Sequence, residues 1–123
     1  MNRPQRILTK ARALIERGWV QGYEATSASG WRVDAWSPSA CAWCITGALD
    51  RATTDLGFRD VEFVVAQNLL KTMALGTADH YKYVSLEAFN DDPKRTKASV
   101  LAVLTLAIDA AKSAAFAATR RQA

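Results

Sequence analysis

The sequence predicts a mainly α, single compact domain of about four helices, with a small β-hairpin between helices one and two. Three observations carry that expectation. Half of the 123 residues are hydrophobic, while Gly and Pro number only six and three, a balance that suits packed helices rather than a disordered or loop-rich chain. Apolar residues recur at i, i+3 and i+4 in the stretches 1–18, 38–55, 60–75 and 96–118, the period of a helix with one buried face. Between the first two, the aromatic and β-branched segments WVQGYEA and WRVDAW flank the polar turn TSASG, which reads as a hairpin over 19–36. A chain of this length makes one domain, 1–123, with one core.

Helix one opens at Asn2 and Pro4, carries the stripe Ile7, Ala11, Leu14 and Ile15, and stops at Gly18. An isolated hairpin is marginal in water, so Trp19, Tyr23, Trp31, Val33 or Trp36 is expected to lean on the helices. SPSA then offers Ser37 or Ser39 as the N-cap of helix two. Its buried stripe would be Cys41, Cys44, Ile45, Ala48, Leu49 and Ala52. Helix three is expected to bury Val61, Val64, Val65, Leu69 and Met73 before Gly76 stops it. A connection follows through His80, with an extended piece over 81–84, and Ser85 can cap the brief helix LEAFN. Pro93 and its Asn and Asp neighbours break the chain. Thr96 should cap the longest helix, whose seam is Val100, Val103, Leu104, Ala107, Ala111 and Ala114, widened by Leu101 and Ile108. TRRQA should fray.

The net charge of +4 is uneven. Residues 1–17 hold Arg3, Arg6, Lys10, Arg12 and Arg17 against Glu16, a local +4, and the remainder has 11 basic and 11 acidic side chains. Arg3, Arg6 and Lys10 therefore form a basic surface, which is either a solvated helix face or a site for nucleic acid. Aromatic residues that would stack bases are not interleaved with it, which favours the solvated face. No apolar run approaches the roughly 20 residues of a membrane span, and MNRPQRILTKAR has no continuous apolar segment, so a cytoplasmic protein without membrane contact is expected. Two cysteines three apart close no useful loop, so reduced thiols are expected.

Cys41 and Cys44 admit four chemistries. Zinc needs four ligands, and two cysteines with the one histidine, His80, do not supply them; no metal and no cofactor are expected. A redox pair requires a βαβ setting that the helix, hairpin, helix order does not provide. A nucleophile is possible on paper: Gln21, Cys44, His80 and Asn90 follow the order of oxyanion residue, nucleophile, base and orienter in papain-like hydrolases, although the chain is short for the sheet such folds carry. The simplest reading is that both cysteines pack as small hydrophobes.

GWVQG, WCITGAL and FNDDPKRTKASVLAVLTLAID together resemble a family of short uncharacterised proteins from bacteria and their phages, with the patterns G-W-x-Q-G, W-C-x-x-G-A and W-N-D-x-P-x-R-T. The matching positions are Gly18, Trp19, Gln21, Gly22, Trp43, Cys44, Gly47, Ala48, Asn90, Asp91, Pro93, Arg95 and Thr96, with Phe89 in place of the usual Trp. Cys41 and His80 are outside the pattern. The resemblance brings no activity with it, so the residues must be read physically. Gly47 and Ala48 in a helix, and Gly22 in a strand, suggest close approach of another backbone. Asn90 and Asp91 either cap the next turn, with Arg95 paired to Asp91, or join Gln21, Trp43 and Arg95 in a polar pocket for a nucleotide, peptide or phosphate. The function expected is a non-catalytic binding or interaction module, phage-derived and acting on a host protein or small ligand. A cysteine-dependent hydrolase using Cys44 and a nucleic-acid-binding protein using helix one are the alternatives.

Overall fold

The computed structural model describes residues 1–75 and 85–113 in full, and the backbone of 114–122. Its elements are α1 (Arg3–Arg17), β1 (Ala25–Ser27), β2 (Arg32–Val33), β3 (Ala40–Trp43), α2 (Ile45–Leu56), α3 (Asp60–Leu75), α4 (Leu86–Asp91) and α5 (Lys97–Gln122). The mainly helical class is as expected, with a small antiparallel sheet between α1 and α2.

The basic helix α1 is the centre of the bundle, packed against α5, α2, α3 and β3. Ile7, Leu8, Ala11, Leu14 and Ile15 are buried along it. A capping box starts it: Gln5 N–H donates to Asn2 Oδ1 at 2.9 Å and Asn2 N–H to Gln5 Oε1 at 3.2 Å, which satisfies two donors that a helix start leaves open. The Asn2 amide also donates to Ala111 O at 3.2 Å, tying the start of α1 to α5. Gly18 follows in extended backbone, where a β-carbon would stand 2.3 Å from Cys41 O; glycine is required there by contact with β3.

The predicted hairpin is a three-stranded sheet of order β2-β1-β3. Ala25 pairs with Val33 and Thr26 with Arg32 on one side of β1; Ala25 pairs with Trp43 and Thr26 with Ala42 on the other. Helix two therefore begins at Ile45 instead of 38, because residues 40–43 complete the sheet. The gain is burial of Trp43, 1% exposed, whose indole N–H donates to Ala35 O at 2.9 Å. Ser37 and Ser39, expected as N-caps, form the turn before β3, with their hydroxyls 2.9 Å apart. Cys41 lies in a strand, and Cys44 is itself the N-cap of α2. Since β3 supplies the sheet's support, the hairpin does not need its outer aromatics as anchors: Trp19 and Val33 pack on the core, but Tyr23, Trp31 and Trp36 are exposed.

Helix α3 is rotated from the expected orientation. Ala66, Leu70 and Ala74 are buried, Leu69 and Met73 sit at the border with Phe63, and Val61, Val64 and Val65 face outward. The alanines let α3 approach α1 and α5 closely, and the larger valines are turned away from that contact. In α5 the inward face is Val100, Leu104, Ala107 and Ala111, flanked by Leu101, Val103 and Ile108, as the period implied. The helix continues to Gln122, past the expected end at 118. Thr96 holds its first turn, accepting from Ser99 N–H at 3.1 Å. Ser85 caps α4, accepting from Ala88 N–H at 3.1 Å. Gly76, His80, the extended piece over 81–84 and the side chain of Ala114 lie outside the described residues. Among the described residues no helix is long and apolar enough to cross a membrane.

Candidate functional site

The residues singled out in the sequence divide between a closed junction and an open cleft beside it. Asn90 forms the junction. Its side chain is completely buried and uses both ends: Oδ1 accepts from Trp19 Nε1 at 2.8 Å and from Ile45 N–H at 3.0 Å, while Nδ2 donates to Val20 O at 3.1 Å and to Asp91 Oδ1 at 2.9 Å. Ile45 N–H is one of the donors that the start of α2 leaves without a helical partner. Asn90 thus caps a helix 45 residues away, and not the turn that follows it. Gln21 reinforces the same junction by donating to Asn90 O at 2.9 Å and Asp92 O at 2.8 Å.

Asp91 is exposed. Its carboxylate accepts from Asn90 and from Gly22 N–H at 2.9 Å, and Arg95 is not its partner. Arg95 donates through Nε to Phe89 O at 3.0 Å and lies 3.7 Å above the Phe89 ring. Gly22 has φ +84° with open space around a β-carbon; it serves a left-handed turn, whereas close approach was expected. Gly47 does have the expected close contact. A β-carbon there would fall 2.2 Å from Glu24 O, so only glycine lets the start of α2 pass under the 22–24 turn.

Cys44 joins the two regions. Its Sγ accepts from Gly47 N–H at 3.3 Å and lies 3.2 Å from Thr46 Oγ1. Burial pushes the thiol above its ordinary range, outweighing the hydrogen bonds from Thr46 and Gly47 that oppose it. Cys44 is thus the N-cap of α2, and its burial favours the neutral thiol. Gln21, the supposed oxyanion residue, spends its amide on two backbone carbonyls, and His80 lies outside the described residues.

The cleft has a volume of about 420 Å³ and is walled by the 22–24 turn, Arg32, the N-terminal halves of α2 and α3, and α4. This is within the roughly 300–1,000 Å³ of small-molecule sites. Among the described residues, Glu24, Asp50, Glu87 and Asp91 line it, with Arg32 as the one cation, and Tyr23 and Phe63 supply aromatic surface. Four carboxylates against one guanidinium leave a formal surplus of three negative charges among the described lining residues. None of the four is in an ion pair among the described residues. Two hold backbone: Glu24 accepts from Ala35 N–H at 3.2 Å, and Asp91 from Gly22 as above. Of the residues predicted for a pocket, Asp91 lines the cleft; Gln21 and Asn90 are in the junction, Arg95 lies on Phe89 and Trp43 is in the core. Cys44, the candidate nucleophile, also lines the cleft. Among the described residues no three His, Cys, Asp or Glu side chains are grouped to hold a metal ion.

Glu24, Asp50, Phe63, Gln67 and Glu87 were missed by the sequence reading because they come from four separate elements. The one local signal was Gly47, whose backbone contact brings Glu24 against α2. The basic surface is engaged within the fold. Arg3 pairs with Glu62 at 2.8 Å, which holds that carboxyl below its usual range; Arg3 and Arg6 each lie 5.2 Å from the Phe58 ring; and Lys10 is 3.8 Å from Asp55.

Compared with known proteins, residues 1–110 match the model of a family of unknown function (DUF6197). No curated protein and no solved structure matches the chain.

Proposed function

The chain belongs to that family of unknown function, and from this premise we propose that it is a non-catalytic binding module whose cleft receives a cationic group. The observation that carries the reading is the concentration of Glu24, Asp50, Glu87 and Asp91 around one cleft, in a chain whose overall charge is +4. A wall that carries one sign of charge draws the opposite sign to it. Tyr23 and Phe63 favour a cation that also offers a flat or apolar surface. A phosphate or nucleotide, considered from the sequence, meets the wrong sign of charge here. A hydrolase through Cys44 lacks support from the thiol's own state, because burial keeps it protonated.

The test is a titration followed by backbone amide resonances, with N-acetyl-arginine amide as ligand and the uncharged citrulline analogue as control. Saturable shifts at Gly22 and Gly47 with the arginine compound alone are expected. Equal response to both compounds, or none to either, overturns the reading.

A further inference from the structure

We propose that the cleft and the aromatic rim beside it form one docking surface for an extended, arginine-bearing segment of a protein partner. The proposal rests on the cationic cleft above and adds the identity of its occupant.

The rim is unusual for what it leaves in water. Trp31 is 74% exposed, Trp36 58% and Tyr23 48%. Large aromatics gathered on a surface are the residues that supply most contact energy in protein interfaces. All three are joined to the cleft along the chain. Tyr23 lines the cleft, Trp31 directly precedes the lining residue Arg32, and Trp36 directly follows Ala35, whose N–H is held by Glu24.

Charge selects among possible partners. The surplus of three negative charges repels phosphate, which sets nucleic acid against this face in spite of its exposed tryptophans. A guanidinium suits it better than an ammonium: its planar fork matches carboxylates such as Asp50 and Glu87 and stacks on rings such as Phe63. The protein already shows that geometry at the rim, where the Arg32 guanidinium lies 6.0 Å from the Tyr23 ring. A free small cation would fill the cleft but leave the tryptophans uncovered. A polypeptide covers both. It also has a place to run, because the short strand β2 is at one edge of the sheet and an edge strand presents main-chain groups to an added one.

The experiment compares two probes on the full chain by calorimetry: N-acetyl-arginine amide, and the blocked pentapeptide Gly-Leu-Arg-Leu-Gly. The pentapeptide is expected to bind at least about tenfold tighter, equivalent to about 1.4 kcal/mol. Trp31→Ala and Trp36→Ala should remove that advantage while leaving arginine amide binding unchanged, and Asp50→Asn should weaken both probes. Equal affinity for the two probes overturns the peptide proposal and leaves the cationic cleft standing. Peptide binding that needs Trp31 but ignores Asp50→Asn overturns the cleft and the joint surface together, as does no binding of either probe. A single-stranded oligonucleotide that binds through Trp31 and competes with the peptide also overturns the choice of partner.

Discussion

Asn90 and Asp91 are neighbours in sequence, yet one belongs to a closed junction and the other to an open wall. Asn90 has no exposed surface and its hydrogen-bonding capacity is filled by Trp19, Val20, Ile45 and Asp91. Asp91 faces the cleft with Glu24, Asp50 and Glu87, where carboxylates stand without ion-pair partners among the described residues. The contrast separates what holds the fold from what is free to bind. A buried polar group acts on stability because losing it strands its partners; a half-solvated carboxylate has water in reserve.

The largest effect should follow from breaking the junction. Asn90→Ala leaves Trp19 Nε1, Ile45 N–H and Val20 O without their partner, and at about 1 kcal/mol or more for each stranded group the loss is about 3 kcal/mol or more. Urea unfolding measures it; a loss below about 1 kcal/mol would mean that the junction is not a principal tie between α4, α2 and the 19–21 segment. Next comes Gly47→Ala. The added β-carbon meets backbone, Glu24 O, and overpacking against backbone costs about 1–3 kcal/mol. The same change should displace Glu24 and disturb the cleft, so it couples the two regions where Asn90→Ala acts on one. Thr96→Ala, remote from both, should cost about 1 kcal/mol through loss of the cap on α5, and an unchanged unfolding midpoint would refute that role.

Cys44 gives a smaller, pH-dependent effect. The folded protein holds its thiol proton more tightly than the unfolded chain does, so the native state carries more protons once pH passes the ordinary thiol value of 9.0. Stability contributed by the neutral thiol is complete below that pH and declines as pH rises toward the folded value. Cys44→Ser keeps an N-cap oxygen and removes the titration. Compared with the variant, the wild-type protein should therefore lose stability as pH rises above 9.0; parallel profiles would show that the thiol is not held in its neutral form.

Local sequence showed the parts of this molecule that local physics decides. Asn2, Ser85 and Thr96 could be read as helix starts because a side-chain oxygen near the first turn is enough. The seam of α5 followed from its period alone. Residues 40–43 could not be read in this way: their place is set by the open edge of β1 and by the pocket that Trp43 fills, neither of which is local. The same reason hid α3's orientation, since Ala66 and Ala74 face inward for the sake of close packing with α1 and α5, against the greater hydrophobicity of Val61, Val64 and Val65. For the site, Gln21, Asn90 and Asp91 were visible as a group through their motifs, but which was wall and which was tie depended on α2. Glu24, Asp50 and Glu87 gave no signal, as isolated acidic residues on three different elements.

The most direct test of the division is to neutralise the open wall and leave the junction whole. In the double variant Asp50→Asn, Glu87→Gln, neither side chain is in an ion pair among the described residues, so the urea midpoint should change by no more than about 0.5 kcal/mol equivalent. Binding of N-acetyl-arginine amide should fall by about tenfold or more. Unchanged stability with lost binding is the outcome that the account predicts; unchanged binding, or a loss of stability comparable to that of Asn90→Ala, would contradict it.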